Sequence, residues 1–403
     1  MADLRVKSLG LKNPFIVASS PATHGLKGVL KSAQGHPGAI VMRNFGHGAG
    51  GGSIILPAGA NMLGGQACVQ SHALGASLPD KYARFEDFVE DVARTRDQLD
   101  PTIRLWVSVG YLLDIGHEWR EKWVAEAIAF EKAGADAVEL HLNSPGVAYV
   151  ADEYEGFYEI VSQGTQRVRD AVKIPVMCKL PVEGCNPFTA MQAALNAGAD
   201  AVGPTARWRG MLLSLDYQYG ASYGGAGYGA SQSLPIISYV AAEARRRGIK
   251  APMFAGGGVY HAEAAAKLLL AGSDAVQLGS LACCLGPRAV AQVIESFEKL
   301  MEEQGYDTME DICGKASFLV DAHAANTQAR SRALGTAYKA RMVDADKCVG
   351  CGRCVDACWY DGMVMNGRIA QKTAQCVGCG YCFSVCPSAA LQIDVKEALA
   401  PVL

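Results

Sequence analysis

The chain has 403 residues, half of them hydrophobic and 19% charged, with a formal net charge of −3. That length allows two or three domains, and the charge balance argues against a nucleic-acid footprint or a polybasic membrane patch. The stretch Met1-Ala2-Asp3-Leu4-Arg5-Val6-Lys7 has no apolar core behind a basic start, and no apolar run reaches membrane-spanning length, so a cytoplasmic location is expected.

Along the chain, short apolar and β-branched runs alternate with longer amphipathic stretches, the pattern of βα units. Strands are predicted over residues 14–18, 39–44, 104–109, 137–143, 176–180, 201–205, 252–255 and 275–279, with helices between them that include 118–133, 189–197 and 262–271. The joint from helix to strand recurs as Ala133-Gly134-Ala135-Asp136, Ala197-Gly198-Ala199-Asp200 and Ala271-Gly272-Ser273-Asp274. Glycine in that position takes the left-handed cap, and the chain turns at once into the next strand. Eight such units favour a closed (β/α)8 TIM barrel over an open doubly wound sheet, and function then belongs at the C-terminal strand ends. The expected division is a barrel over 1–312, a helical linker over 313–340 and a ferredoxin-like domain over 341–403.

Read at those strand ends, strand seven runs into Gly256-Gly257-Gly258 and strand eight into Gly279-Ser280. Bare backbone N–H groups ahead of a helix suit a phosphate, with a plain tight turn as the alternative. Lys179 lies at the end of strand five, where an ammonium without an anionic partner would be costly to bury. Along strand four, period two puts Glu139, His141 and Asn143 on one face, with Ser144 just beyond it. A satisfied core histidine and an ordinary turn hydroxyl are the alternatives there. Long insertions follow strand two, where Arg43 precedes a glycine-rich segment carrying Asn61, and strand six, where Ala206-Arg207 lead into a loop rich in Gly, Tyr and Ser. Insertions on that face suit lids or substrate walls.

Eight of the 14 cysteines form two copies of C-x2-C-x2-C-x3-C, namely Cys348, Cys351, Cys354 and Cys358, then Cys376, Cys379, Cys382 and Cys386. Three close thiolates hold three corners of a cubane cluster, while the following turn carries the fourth to the other cube. One 4Fe-4S cluster should therefore take Cys348, Cys351, Cys354 and Cys386, and the second Cys376, Cys379, Cys382 and Cys358. Structural zinc, the other reading of C-x2-C pairs, wants four ligands rather than four plus four in this repeat. The six remaining cysteines have no regular spacing, which fits reduced thiols rather than a disulfide framework.

Together, the barrel residues and the cluster motif resemble the dihydroorotate dehydrogenase and dihydropyrimidine dehydrogenase superfamily. The order of barrel then ferredoxin is most similar to the catalytic subunit of the bacterial NAD-dependent dihydropyrimidine dehydrogenases. The likeness runs from Leu4 to about Ile393 and includes Gly10-Leu11-Lys12-Asn13-Pro14-Phe15. It implies FMN in the barrel, with Ala18 and Ser19 beside the flavin, Lys179 at the isoalloxazine and ribityl chain, and Thr205 on the strand-six side. Gly257, Gly258, Gly279 and Ser280 would hold the phosphate, and Asn61 falls in an Asn-x-x-Gly loop that touches substrate in relatives. Arg43 stands where relatives carry a lysine, and Ala206-Arg207 where they carry Asn-Thr. His141-Leu142-Asn143-Ser144-Pro145 replaces Asn-Leu-Ser-Cys-Pro, which makes Ser144 or His141 the proton-transferring group.

The expected function is an FMN- and iron–sulfur-dependent oxidoreductase acting on an activated C–C double bond of a small cyclic substrate. The alternative is an electron-transfer subunit whose barrel is a docking scaffold. No G-x-G-x-x-G in a βαβ context occurs in the chain, so the electron partner would be a ferredoxin or an NAD(P)H–FAD reductase subunit. The resemblance further implies a homo-oligomer.

Overall fold

In the computed structural model, which describes residues 2–45, 53–58, 67–72, 82, 84–110, 118–143, 156–212, 223–320, 340–342 and 344–393, eight parallel strands close into a barrel. The chain divides into two units, Met1–Val320 and Asp321–Leu403. Within the first, every strand is followed by a helix. The first four pairs are β1 (Phe15–Val17) with α1 (Gly25–Ala33), β2 (Ala39–Met42) with α2 (Phe85–Gln98), β3 (Arg104–Val109) with α3 (Trp119–Lys132), and β4 (Ala137–His141) with α4 (Phe157–Ala171). They continue as β5 (Val176–Pro181) with α5 (Pro187–Asn196), β6 (Ala201–Thr205) with α6 (Ser233–Arg246), β7 (Phe254–Gly256) with α7 (Ala262–Ala271), and β8 (Ala275–Leu278) with α8 (Ser280–Glu303).

All eight predicted strands are present, and the helix expected over 189–197 starts earlier, at Pro187. The reason is a cap: the Asn186 side chain accepts hydrogen bonds from the N–H groups of Phe188 and Thr189, and proline fits the first helical position, where its missing donor costs nothing. Helix α8 is broken at Gly286, whose φ of 75° precedes Pro287, so its first segment is short. Among the described residues no helix is long and apolar enough to cross a membrane.

Strand register sorts the barrel interior into layers, because residues paired across parallel strands point the same way. Trp106 pairs with Ala137, and Phe254 with Ala275, and the two aromatic rings meet edge to face at 5.5 Å. Gly203 is required beside them, since a Cβ there would lie 2.2 Å from the Phe254 ring. These rings plug the barrel toward its N-terminal end. One layer higher the interior turns polar, with Ser108 beside Glu139, His141 beside Lys179, and Gln277 beside Gly256.

The N-terminal face repeats one device three times. The carboxylates of Asp136, Asp200 and Asp274 accept the backbone N–H of Leu105, Val176 and Met253 in the preceding strands or at their entry, at 2.7, 2.8 and 2.7 Å. Each also pairs at 2.7 Å with an arginine of the helix before that strand, namely Arg96, Arg169 and Arg245. The arginines donate in turn to carbonyls of the intervening loops, as Arg245 does to Ile249 and Ala251. The joint glycines have the expected positive φ, 89° at Gly134 and 92° at Gly198. They also leave room for the staple, because a Cβ at Gly134, Gly198 or Gly272 would come within 3.2, 3.0 or 2.7 Å of the arginine stem.

The two long insertions are not plain loops. Strands Ser53–Ala58 and Ala67–His72 follow β2, strands Trp208–Leu212 and Tyr223–Ala230 follow β6, and Ala67–His72 pairs antiparallel with Tyr223–Ala230. One four-stranded sheet thus joins both insertions.

In the second unit the cysteine motifs build the same piece twice. Gly352 (φ 74°) precedes the short helix Arg353–Asp356, and Gly380 (φ 84°) precedes Tyr381–Ser384. Two hairpin-like pairings complete the unit, Ala340–Met342 with Leu391–Ile393 and Met363–Asn366 with Ile369–Lys372. Its buried core consists of Cys354, Met363, Ala370, Cys382 and Leu391. The linker expected over 313–340 falls mostly outside the described residues.

Candidate active site

The C-terminal strand ends enclose a cleft with about 710 Å³ of empty volume, part of it open to solvent. Its floor is the polar layer of the barrel. Lys179 Nζ lies 3.7 Å from Glu139 Oε1, with the side chains 5% and 0% exposed. The other carboxylate oxygen accepts a 2.5 Å hydrogen bond from Gln277 Nε2. Burial pushes the Glu139 carboxyl up and the Lys179 ammonium down, while their mutual attraction opposes both shifts and the positive charge of Arg207 adds to the second. Among the described residues no donor comes within hydrogen-bonding distance of the buried oxygens Glu139 Oε1, Gln277 Oε1 and Asn143 Oδ1. Buried oxygens of this kind call for a donor from a ligand or water.

Opposite the floor stands a glycine cradle. Gly257 and Gly258 adopt φ of 142° and 76°. A Cβ at Gly257 would sit 2.9 Å from that of Ala206, and one at Gly258 2.8 Å from the Leu234 nitrogen. Beside them Gly279 leads into Ser280, the first residue of the short segment of α8. Glycine loops after strands seven and eight, with a short helix start between them, form the usual phosphate site of such barrels.

Of the residues singled out by sequence, Ala18, Ser19, His141, Lys179, Thr205, Gly257, Gly258, Gly279 and Ser280 all line this one cleft. Arg43 does not. Its guanidinium reaches His24 Nδ1 at 3.4 Å. Asn61 and Ser144 lie outside the described residues. Sequence reasoning missed Gln277, whose signal is a lone amide inside the apolar run Ala275-Val276-Gln277-Leu278. It also placed Glu139 on the right face without identifying its partners across the barrel. Cys178, next to Lys179, faces the other way against Thr165, and burial pushes its thiol up to about 12, so it takes no part in proton transfer.

In the second unit, Cys348, Cys351, Cys354 and Cys386 surround one cavity, and Cys358, Cys376, Cys379 and Cys382 another. The pairing is the crossed one, three thiols from one motif and the fourth from the other. Apolar residues such as Met365, Ala370 and Leu391 also line the first cavity. Among the described residues no three ligating side chains converge closely enough for a single ion. Thiols spread around a cavity suit a cluster held by its corners.

Residues 341–393 match the family described as a 4Fe-4S dicluster domain. The chain is 30% identical over 195 residues to a putative dihydroorotate dehydrogenase A (fumarate) of Aeropyrum pernix, a match covering 48% of this chain and 63% of that relative. It is 27% identical to the catalytic subunit of dihydroorotate dehydrogenase B (NAD(+)) of Halalkalibacterium halodurans over 47% of this chain and 62% of the relative, so these two matches span about six tenths of the relatives' length. A longer match, 22% identical, takes in 78% of this chain and 98% of the corresponding Methanocaldococcus jannaschii subunit. Among solved structures, dihydroorotate dehydrogenase of Eimeria tenella in complex with ferulenol superposes with a TM-score of 0.58 at 14% identity, covering 77% of this chain and 87% of the other, which establishes a shared fold. The chain therefore joins a barrel similar to dihydroorotate dehydrogenases to a C-terminal segment that matches a 4Fe-4S dicluster domain.

Proposed function

We propose that the barrel binds FMN and that the protein is a flavin- and iron–sulfur-dependent oxidoreductase acting on an activated C–C double bond of a small cyclic substrate, a pyrimidine or a related ring. The observation that carries this reading is the pairing, in one cleft, of a buried ammonium at Lys179 with a glycine cradle at Gly257, Gly258 and Gly279. Such a cleft offers a cation to the ring edge of a flavin and backbone donors to its phosphate. The buried oxygens of Gln277 and Asn143 add acceptors for the N–H of a ring. When bound, FMN supplies interconversion between two-electron hydride chemistry and the single electrons of iron–sulfur clusters.

The chain's own residues have three tasks. Lys179 holds a positive charge at the floor, and the glycines accept the phosphate without a side chain in the way. Ser144 or His141 exchanges the proton with the substrate carbon next to the one that exchanges hydride. Arg207, in the place of an amide-bearing pair, suits a ring that carries negative charge or an extended π face. Electrons enter or leave through the eight-cysteine unit, from a ferredoxin or an NAD(P)H–FAD reductase subunit, and the chain acts as a homo-oligomer.

Anaerobically purified protein is expected to release FMN rather than FAD on acid treatment, about one per chain. The bound flavin should be reduced or reoxidised by members of a set of dihydropyrimidine, pyrimidine, dihydroorotate and orotate compounds. Gly257→Glu is expected to empty the site by setting a carboxylate where the phosphate belongs. Full flavin content in that variant, or wild-type protein without flavin, overturns the reading.

A further inference from the structure

Lys179 and Glu139 meet in the polar interior of the barrel, where neither charge is stable alone. Moving either ion from water into such an interior costs several kcal/mol, which only the partner and further hydrogen bonds offset. Gln277 supplies one such bond, and its orientation is set by charge: turning the amide over would put its carbonyl against the carboxylate. Glu139 is thus anchored through one oxygen and presents the other toward the ammonium at 3.7 Å. The remaining neighbours bring no second anion. His141 is the register partner of Lys179 on β4, Gly203 is its partner on β6, and Arg207 follows β6. Thr205 donates to the Gly203 carbonyl, and Ser108 lies beside Glu139. Among the described residues whose charge bears on Lys179, Glu139 alone is acidic.

We propose that Glu139, held by Gln277, is a positioning residue that keeps the Lys179 ammonium charged and turned into the cleft, toward the ring edge on which reduction places negative charge. This rests on the flavin reading above. Lys179 then owes its proton to a carboxylate that touches neither ring nor substrate, and the redox poise of the site depends on a residue at the bottom of the polar layer.

The test compares holoprotein of wild type, Glu139→Gln, Glu139→Asp and Lys179→Met for FMN released per chain and for the midpoint potential of bound FMN across neutral and alkaline pH. Glu139→Gln is expected to lower the potential as Lys179→Met does, by an amount that grows with pH as Lys179 loses its proton, and to weaken FMN retention about tenfold, the scale of one charged hydrogen bond. Glu139→Asp should recover part of both. A Glu139→Gln protein whose remaining flavin keeps the wild-type potential would assign Glu139 a packing role only and overturn the proposal. So would a raised potential, which means Lys179 stays charged without its acid. If Glu139→Gln does not fold, Gln277→Leu should give a smaller drop of the same sign, and an unchanged potential there also overturns the proposal. Wild-type protein that releases no FMN refutes the flavin reading and this inference together, and is recognised by that absence.

Discussion

Under the proposed function the proton is moved by His141 or Ser144, three positions apart in the sequence where β4 ends. His141 is buried and lines the cleft, and imidazole exchanges a proton near neutral pH without help. A serine hydroxyl is a poor acid and base and needs a relay, so the two assignments predict opposite variants. With Ser144 as the acid, Ser144→Ala slows substrate-dependent flavin turnover by at least about a hundredfold with FMN and clusters intact, and Ser144→Cys keeps partial activity. Near-normal turnover in Ser144→Ala with an inactive His141→Asn moves the role to His141. At this scale Lys179 and His141 are legible in the sequence, because period two in a barrel strand decides which side chains point inward. Gln277 is not, because the carboxylate it binds lies 138 residues earlier, and alternation along one strand carries no information about what faces it across the barrel.

At the scale of elements, the three arginine–aspartate staples explain why the joint Gly-x-Asp recurs. The repeat itself is plain in the sequence, and a capping glycine accounts for half of it. The other half, the room that glycine leaves for an arginine of the preceding helix, depends on a contact some 30 residues away and has no local signal. Arg245 bonds Gly272, Ile249, Ala251 and Asp274, as many partners as Arg96 has, and its side chain is the least exposed of the three at 18%. Arg245→Met should lower unfolding free energy by about 2–3 kcal/mol, since it leaves the partly buried Asp274 carboxylate without its cation as well as breaking charged hydrogen bonds. Denaturant unfolding measures this, with flavin content unchanged because the staple lies on the face away from the cleft. Gly272→Ala should cost more than Gly305→Ala, although both glycines have positive φ, because Arg245 crowds only the first. The insertions escaped sequence reading as strands for a related reason: a run such as Tyr223-Gly224-Gly225-Ala226-Gly227-Tyr228 pairs through its backbone while glycine erases the alternation that marks a strand.

For the whole molecule the two units differ in what holds them. The barrel buries a continuous apolar core, whereas among the described residues of the second unit the buried cluster is three apolar side chains and two cysteines. A core that small does not stabilise a fold unaided, so the clusters themselves are expected to be structural. Fully loaded protein should carry about eight iron and eight sulfide per chain. Oxidative loss of the clusters should expose backbone amides of 344–393 to rapid hydrogen exchange while those of the barrel strands stay protected. Cys386→Ala should damage the cluster held by the first motif and Cys358→Ala the other, each told apart by its electron paramagnetic signal. About four iron per chain after full reconstitution would rule out two clusters. The crossing was readable from spacing alone, because a three-residue gap carries the fourth cysteine past its own cube, whereas nothing in the spacing reveals how sparse the surrounding core is.

The second and sixth strands stand four apart in a ring of eight, on opposite sides of the barrel. The sheet built from the insertions that leave those two strands therefore links opposite sides of the ring. That line divides the ring into β3 to β5 on one side and β7, β8 and β1 on the other, with the end of β4 in the first arc and the glycine cradle in the second. Under the flavin reading proposed above, the phosphate is thus held on one arc of the ring and the proton-transferring group stands on the other.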